Sequence, residues 1–546
     1  MKFKKMVAAL LAVSMISSMG LVGCGKKEVS TGGTTGTNQS ESGKKEANTN
    51  SNFNPTGDKI VNEPVTLRIV AAKEPEVGDF NELQFFKDLE EKTNVKIEWE
   101  IYSSEAWKEQ KNLLFASQKE LPDAFFGMWT LEDQDIVKYG SQGLLISLDE
   151  HIDQYGVNLK NVLAQDPSYE KLMKSPDGKT YGLPGIDEST GGIHGPMYIN
   201  QKWLDAVGKS VPTTTDEFYD VLKAFKAAGD LNGNGIADEI PMGFRFDSLI
   251  TGFYQWLGPF GIATERNFIM ETPDKKLEFA ANTPAYREAL EYYSKLYKEG
   301  LIDPESFTQT ESVYTSKLKS ENRIYGAGTI WSMHNAFGTD DVEVAQYVPM
   351  LPLKGPSGKQ VYLERPGGLR SNGAFAITSN CKIPEVAMRW ADAMYETKTA
   401  RQAYYGLEGV AIEKAENDMW KMIDTGGEDL RHKEAPGKRA IPAITKEMYA
   451  QMEKSPGIVE RDKIFETYEP FIYSVPKKPM KTMEEMDELG VIEVEITDYV
   501  KKMTAEFISK GVTDDGWNTY CKALEGLNLA RYMELYNQIY DRYTSN

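Results

Sequence analysis

V65TLRIVAAKEPEVGDFNELQFFKDLEEKTNVKIEWEI101 is the stretch of sequence that decides the fold class. Residues 65–71 alternate as a strand does, and Leu83, Phe86 and Leu89 then recur at helical spacing. A second strand is predicted immediately afterwards, over residues 95–101. Because strands that alternate with helices form parallel sheets, this stretch predicts an α/β lobe, and ligands bind such lobes beyond the carboxyl ends of the strands.

The same alternation continues toward the carboxyl terminus. A glycine-rich tract, 187–196, predicts a crossing into a second lobe. In that lobe a helix is expected over 216–228 with Thr215 as its N-cap. Residues 59–546 exceed one typical domain, so two lobes or more are expected, and the last third is mostly helical. Strands and helices are further predicted at 106–118, 124–126, 131–139, 197–200, 286–299, 325–330, 373–378 and 384–395.

The amino terminus has the layout of a signal peptide. Lysines at 2, 4 and 5 precede an apolar run over residues 6–22 that stops at Gly23-Cys24. The residues L21VGC24 resemble the bacterial lipobox, in which the cysteine is acylated before cleavage; the alternative is a core helix that happens to end in Gly-Cys. We therefore expect a signal peptide over 1–23, lipid on Cys24 and a flexible tether over 24–57.

Charge and composition restrict the partners. The formal net charge is −20 and the leader contributes three lysines and no acids, so the mature chain is more negative still. This balance argues against nucleic acid or an anionic membrane surface as the partner. After the leader, no run approaches the ~20 apolar residues that cross a bilayer. The lipid would be the only membrane attachment.

Cysteine and histidine give little support for a metal or catalytic centre. Apart from Cys24 the chain has Cys381 and Cys521, and a disulfide or two buried thiols both stay open. The histidines are scattered at positions 151, 194, 334 and 432. No nucleophile-elbow, zinc-protease, P-loop or dinucleotide glycine motif occurs.

The segment D230LNGNGIADEIP241 has the clearest chemistry. Side-chain oxygens of Asp230, Asn232, Asn234 and Asp238 fall at loop positions 1, 3, 5 and 9, with glycine at position 6, as in the first part of an EF-hand calcium loop. Position 12 is proline instead of glutamate, so Glu239 or water would complete the oxygen shell. The alternative is an Asx- and glycine-rich surface turn without metal.

Several segments together resemble the large extracellular solute-binding proteins of bacterial ABC importers, specifically the LipO-like lipoproteins and their alginate- and oligosaccharide-binding relatives. These segments are the lipobox, D177GKTYGLP184, V211PTTTDEFYDVLKAFKAAGDLNGNGIADEIP241 and N372GAFAITSNCKIPEVAMRWADAMYE396.

The resemblance implies a periplasmic-binding-protein-like fold of type II, with two α/β lobes, an interlobe cleft and a helical carboxyl-terminal region. We place lobe I at 58–190 and about 375–435, and lobe II at about 191–374 and 436–546. It also implies a monomer that passes its ligand to permease subunits in the membrane. A structural Ca²⁺ would be held by the side chains of Asp230, Asn232, Asn234, Asp238 and Glu239 and by the carbonyl of Ile236.

Aromatic residues are the natural platforms for sugar rings, whose C–H faces pack on aromatic planes. Trp129 and Trp331 each follow a predicted strand, at the edge where an α/β cleft lies. Tyr254 and Trp256 lie in the loop-rich stretch T251GFYQWLGPFG261 and are expected on the opposite wall. For each of the four, packing in the core or on the surface is the alternative.

Four polar residues are candidates for hydrogen bonds to the ligand: His194, Asn335, Arg365 and Arg370. They fall in glycine-rich segments or just after strands. An arginine fork suits a carboxylate or vicinal hydroxyls. A surface or hinge role is the alternative for the arginines.

The sequence favours a non-enzymatic carbohydrate receptor. A secreted glycan-processing enzyme needs two carboxylates across a cleft, and carboxylates are too abundant here to decide the question. A peptide-binding surface lipoprotein is a third possibility. The sugar, its length and its charge are not given by the sequence.

Overall fold

The computed structural model describes residues 51–189, 191–319, 323–333, 336, 346–426, 430–437 and 443–545. Cys24, the predicted signal peptide and most of the predicted tether lie outside these residues, as does Asn335. The strands are β1 (Val65–Lys73), β2 (Val95–Ser103), β3 (Ala124–Phe126), β4 (Leu183–Asp187), β5 (Gly192–Ile193), β6 (Met197–Asn200), β7 (Ile240–Met242), β8 (Ile269–Glu271), β9 (Leu277–Phe279), β10 (Tyr325–Thr329), β11 (Tyr347–Met350), β12 (Tyr362–Arg365), β13 (Gly368–Ile377), β14 (Ile412–Lys414), β15 (Trp420–Met422), β16 (Ala443–Ile444) and β17 (Ile472–Tyr473).

The α-helices are interspersed among these strands and dominate the carboxyl-terminal third. They are α1 (Gln84–Thr93), α2 (Ser104–Ser117), α3 (Asp133–Ser141), α4 (Asp149–Tyr155), α5 (Val157–Leu163), α6 (Ser168–Leu172), α7 (Gln201–Val207), α8 (Thr215–Ala228), α9 (Pro284–Lys298), α10 (Glu311–Lys319), α11 (Pro384–Ala393), α12 (Thr397–Tyr405), α13 (Leu430–Glu434), α14 (Lys446–Ala450), α15 (Pro456–Tyr468), α16 (Met483–Lys510), α17 (Asp514–Gly526) and α18 (Leu529–Ser545). Among the helices that the structure describes, none combines the length and apolar character needed to cross a bilayer.

A six-stranded sheet in the order β16-β4-β13-β3-β1-β2 organises the first core. β1 is parallel to β2 and β3, as the opening stretch predicts. Alternate residues of β1 face opposite sides: Leu67 and Ile69 pack with the apolar side chains of α1, and Val70 packs with those of α2. The alternation in the sequence therefore reflects a sheet covered by helices on both faces.

Strand β13 runs antiparallel to its two neighbours, β3 and β4, unlike the parallel strands β1, β2 and β3. Its first residue, Gly368, pairs with Asp187, the last residue of β4. The chain therefore leaves and re-enters this sheet at the edge that holds the carboxyl ends of β1, β3 and β4. This is the edge where ligands bind α/β sheets.

A four-stranded sheet, β11-β6-β10-β7, organises the second core with the long helices α9 and α16. The chain runs from β6 of this sheet into α7, which Asn200 caps by accepting the Trp203 N–H. Helix α8 begins at Thr215, one residue earlier than expected, so Thr215 is its first residue and not its N-cap. Thr214 is the cap, because its extended backbone lets its hydroxyl accept the Glu217 N–H at 3.1 Å.

Buried residues divide the chain between the two cores. The first core takes them from 60–186 and 375–448 together with Met480, and the second takes the others from 193–363 and 464–539. β16 pairs with β4, so residues 443–448 belong to the first core, although the expected boundary at about 436 assigns them to the second lobe. Cys381 and Cys521, both in the described ranges, are free thiols that pack against different cores.

Candidate functional site: a cleft lined by arginines

A cavity of about 520 Å³ lies at the carboxyl edge of the first sheet. Tyr169, Leu172, Leu369 and Arg370 line it from the first core, and Arg245 and residues 248–250 line it from the second. The crossing segments close its sides with Arg365–Gly367 and Val475–Lys478. A volume of this size is typical of small-molecule sites.

A second cavity of about 440 Å³ adjoins the first. The two share a wall made of Leu249, Glu265, Arg266 and residues 475–478, and the second extends toward Asp133 on α3 and Tyr536 on α18. Together they form an elongated cleft between the cores.

The turn between β12 and β13 brings Arg365 and Arg370 to this cleft. Gly368 in the turn has φ +92°, and a Cβ there would clash with the hydroxyl of Tyr169. Tyr169 in turn donates to Glu188 Oε1 at 2.8 Å, and burial together with this carboxylate raises the pKa of the phenol. Glycine is therefore required for the two strands to approach α6 at the cleft.

Arg365 is the most unusual charge in the cleft. Its Cζ lies 4.1 Å from the ring centroid of Trp331, a cation–π contact. Burial and then the charge of Arg370 lower the pKa of the Arg365 guanidinium to about 10. Its Nη1 is buried without a hydrogen-bond partner among the described residues. The guanidinium thus has unused capacity for a ligand.

His194 lies directly after β5 and lines the same cavity. Burial, followed by the positive charges of Arg365 and Lys478, lowers the pKa of its imidazole to about 3. Its Nε2 is also buried and makes no hydrogen bond within the described part of the chain. A neutral imidazole with a free ring nitrogen can exchange a hydrogen bond with a hydroxyl.

Three other basic side chains of the cleft are paired. Arg245 donates to Glu311 at 3.1 Å and to Ser248 at 3.0 Å. Arg266 donates to Asp247 Oδ1 at 3.1 Å. Lys478 forms an ion pair with Glu265. These pairs fix the wall of the cavity without cancelling the charge of Arg365.

Two of the expected aromatic platforms are in the core instead. Trp256 is 0% exposed and stacks on Phe218 with ring centroids 5.4 Å apart. Tyr254 is buried and donates to Asp247 Oδ1 at 3.2 Å. Both belong to a 3-10 helix, Phe253–Phe260, in which every residue is buried. Neither ring offers a face to a ligand, and the expectation for this stretch was wrong.

The other two expected aromatic platforms, Trp331 and Trp129, differ in their surroundings. Trp331 contacts Arg365 and also Phe465, with ring centroids 6.4 Å apart. Trp129 lines neither cavity; it exposes 42% of its surface after β3 and has a left-handed backbone, with φ +66°. Tyr169, which lines the cleft, was missed because nothing in α6 distinguishes it from a core tyrosine.

The loop after α8 gathers oxygen-bearing side chains. Asp230 accepts the N–H groups of Gly233 at 2.7 Å and Gly235 at 2.8 Å, which closes the loop around its carboxylate. The amides of Asn232 and Asn234 both reach Asp238 Oδ1, at 3.1 and 3.2 Å. The expected side chains therefore converge.

Glu239 anchors the start of the same loop. Its Oε1 accepts the N–H groups of Leu231 and Asn232 at 2.5 and 2.8 Å, and its Oε2 is buried without a partner among the described residues. In those residues no three His, Cys, Asp or Glu side chains converge closely enough to hold a metal. The amides and a carbonyl would have to complete a cation site here, and this all-oxygen set suits Ca²⁺.

Comparison with known proteins places this architecture in a family. Residues 74–401 match the sequence model of the family described as bacterial extracellular solute-binding protein. The chain belongs to this family. Its fold is the periplasmic-binding-protein-like fold of type II, with two α/β lobes and a cleft between them.

Particular relatives resemble the chain over most of its length. It is 31% identical over 505 residues to the fructooligosaccharide ABC transporter substrate-binding protein FusA of Streptococcus pneumoniae serotype 4, covering 89% of this chain and 91% of FusA. The structure of a FusA EF-hand mutant in complex with fructo-nystose matches with a TM-score of 0.71 and 30% identity, over 88% of this chain and all of that one.

Two further relatives widen the comparison. An HMO-binding, ABC-transporter-associated solute-binding protein from Bifidobacterium longum infantis has a TM-score of 0.75 and 26% identity, over 88% of this chain and 99% of that one. Lipoprotein LipO of Bacillus subtilis is 30% identical over 251 residues, 44% of this chain and 45% of LipO.

Proposed function

We propose that this protein is the carbohydrate-binding component of an ABC importer, which holds an oligosaccharide in the cleft between its lobes and delivers it to permease subunits in the membrane. The observation that carries this proposal is the cleft itself, where side chains of both cores and of the crossings line one elongated cavity. FusA, a relative that matches over most of the chain, is a fructooligosaccharide substrate-binding protein by name.

Polar groups without partners give this cleft its chemistry. Arg365 Nη1 and His194 Nε2 are both buried and both lack a hydrogen-bond partner in the described residues, which is costly unless a ligand satisfies them. Sugar hydroxyls both donate and accept and can fill both positions. With Arg370 and Tyr169, these residues form the polar part of the proposed binding site.

Trp331 and Trp129 contribute to the proposed binding site in different ways. Trp331 holds the Arg365 guanidinium by its ring face. Trp129 presents an exposed ring, and a bulky residue with positive φ is strained unless it serves a function. We infer that Trp129 provides an additional surface on which a sugar ring packs.

We further infer that loop 230–239 binds a structural Ca²⁺. The convergence of Asn232 and Asn234 on Asp238, and the partnerless Oε2 of Glu239, support this site. The name of the FusA EF-hand mutant is consistent with a calcium-type loop in that relative. The ion would clamp the segment between α8 and β7 and take no part in chemistry.

The family is extracellular, and we propose that the chain is held on the outer face of the cell membrane by lipid on Cys24. The lipobox at residues 21–24 supports this attachment. Expression in a bacterium with radioactive palmitate tests it: the wild type should be labelled and sediment with membranes, whereas Cys24→Ala should be unlabelled. Label on the Cys24→Ala variant would refute the proposal.

The function is tested by mixing the purified protein with a panel of oligosaccharides. We expect at least one oligosaccharide to raise the melting temperature, and chromatography to recover it intact. Ligand at 100 times its Kd should stabilise the protein by about 2.7 kcal/mol. Cleavage products would make the protein an enzyme, and no stabilisation by any carbohydrate would remove the proposal.

A further inference from the structure

We propose that the oligosaccharide taken by this cleft is acidic, and that the carboxylate of one of its sugar residues is bound by Arg365. This inference rests on the proposed function and goes beyond it by specifying the charge of the ligand. It differs from the ligand in the name of FusA, a fructooligosaccharide.

The first observation is the sign of the charges around the larger cavity. Its walls carry four arginines and two lysines, and Glu265 is the single carboxylate among the described residues that line it. The chain as a whole has a formal charge of −20. The wall of the proposed binding cavity is therefore positively charged, although the protein as a whole is negative.

The second observation separates Arg365 from three of the other basic residues. Arg245, Arg266 and Lys478 are neutralised by Glu311, Asp247 and Glu265 respectively. Among the ion pairs of the described residues, none includes Arg365. The carboxylate of Asp187 raises the pKa of Arg365, but this effect is smaller than the lowering caused by the charge of Arg370.

The third observation is the cost of this arrangement in the ligand-free protein. Burial and the like charge of Arg370 lower the pKa of Arg365, so the folded protein holds a cation where its environment disfavours one. A neutral hydroxyl would satisfy the open Nη1 but would leave the repulsion between the arginines. A carboxylate would accept a hydrogen bond from Nη1 as part of the guanidinium fork, and its negative charge would offset the repulsion between the two arginines.

The surroundings of Arg365 fix its geometry for such an interaction. The ring of Trp331 covers the guanidinium at 4.1 Å, which restricts the planar group to one orientation. His194, held neutral by burial and by the surrounding positive charges, adds no competing charge and leaves Nε2 for a neighbouring hydroxyl. An acidic sugar residue offers a carboxylate and hydroxyls on the same ring.

The test compares acidic oligosaccharides with their own neutral forms. Mixed oligouronides of three to five residues are titrated calorimetrically into the protein, and so are the same oligosaccharides after reduction of each carboxyl group to a primary alcohol. We expect the acidic form to bind at least about tenfold more tightly, since charged hydrogen bonds are the stronger ones. The acidic form should also lose affinity as salt rises.

Arg365→Gln should weaken binding of the acidic form by about tenfold or more and bring it close to the affinity for the reduced form. Binding of the reduced form by the variant shows that the cleft is still folded. Arg365→Lys keeps the charge and loses the fork, so its affinity for the acidic form should lie between those of the wild type and Arg365→Gln. Lys522→Gln removes one exposed positive charge on α17, away from the residues that line the cleft, and should bind as the wild type does.

The outcomes separate this inference from the proposed function. If neutral oligosaccharides bind and acidic ones do not, or if the acidic and reduced forms bind equally, the inference is overturned and the receptor function stands. If no carbohydrate of either kind binds, the proposed function is lost and the inference with it.

Discussion

The guanidinium of Arg365 lies over the indole ring of Trp331, with 4.1 Å between Cζ and the ring centroid. The two residues are separated by more than thirty positions in the sequence: Arg365 is the last residue of β12, and Trp331 follows β10. Their contact links the four-stranded sheet of the second core to the crossing that leads back into the first. It sets the orientation of Arg365, whose Nη1 is buried without a hydrogen-bond partner among the described residues.

Replacing Trp331 therefore tests whether this contact matters for binding. In Trp331→Leu the cation–π contact, worth about 0.5–2 kcal/mol, is lost and Arg365 can turn away from the cavity. We expect ligand affinity to fall by about tenfold in calorimetry. Trp331→Tyr keeps an aromatic face and should retain most of the affinity. Equal affinity of the leucine variant and the wild type would contradict this role.

Trp129 and Trp256 should respond in opposite ways to substitution. Trp129→Asn relieves a bulky residue at φ +66° and should leave stability unchanged or raise it by up to about 1 kcal/mol, while weakening carbohydrate binding. Trp256→Phe leaves a void beside Phe218 and should cost about 2 kcal/mol of stability with little effect on affinity. Denaturant melts and calorimetry of both variants check this. The reverse pattern would show that the ring at 256 reaches the ligand.

Removal of calcium should destabilise the protein through loop 230–239. A chelator should lower the melting temperature, and added Ca²⁺ should restore it. Asp238→Asn is the most informative variant, because among the described residues the Asp238 carboxylate accepts from two side-chain amides and from no backbone N–H, whereas Asp230 holds the backbone of the loop. We expect Asp238→Asn to lose most of the calcium response.

The matched control for the calcium experiment is Asp424→Asn. Asp424 is exposed and also closes a turn, through the Gly426 N–H at 2.9 Å, outside the loop. It should keep the full response to Ca²⁺ and chelator. An unchanged melting temperature in chelator, together with no metal after dialysis, would exclude the site.

His194 predicts a specific dependence of stability on pH. Its pKa is about 3 in the folded protein and about 6.5 when it is solvated, so the unfolded chain binds the proton first. The stability contributed by the neutral ring is complete above pH 6.5 and falls as pH is lowered toward 3. Between pH 7 and pH 5 the loss should be about 2 kcal/mol.

His194→Gln isolates this effect because glutamine does not titrate. The variant should start less stable at pH 7 if the buried amide is poorly accommodated, but its free energy of unfolding should fall by about 2 kcal/mol less than that of the wild type on acidification to pH 5. Urea melts at both pH values measure the difference. Parallel losses in the two proteins would contradict the low pKa.

The fold was predictable wherever the pattern in the sequence is set by burial on a regular element. The alternation in β1 and the helical spacing in α1 gave the first α/β unit, because each face of β1 is covered by a helix. The antiparallel direction of β13 was not predictable, since it depends on the crossing through which the chain returns. The short β16 joins the first sheet by pairing with β4, a long-range contact that leaves no local pattern.

The cleft was predictable in part. Arg365 and Arg370 were predicted because they fall in glycine-rich or post-strand segments, and both line the larger cavity. Tyr254 and Trp256 were misplaced because their apolar surroundings in sequence describe a buried 3-10 helix as well as an aromatic wall. Burial of such a segment depends on packing against distant residues such as Phe218 and Tyr293, which donates to the Trp256 carbonyl.

The most direct test of the central claim is a crystal structure of the protein with an oligosaccharide that stabilises it. The account predicts one intact oligosaccharide in the cleft, in contact with Arg365 of the crossing, with Tyr169 of the first core and with residues 248–250 of the second, so that both cores take part in binding. A sugar bound outside the cleft, or in contact with the residues of one core alone, would contradict it.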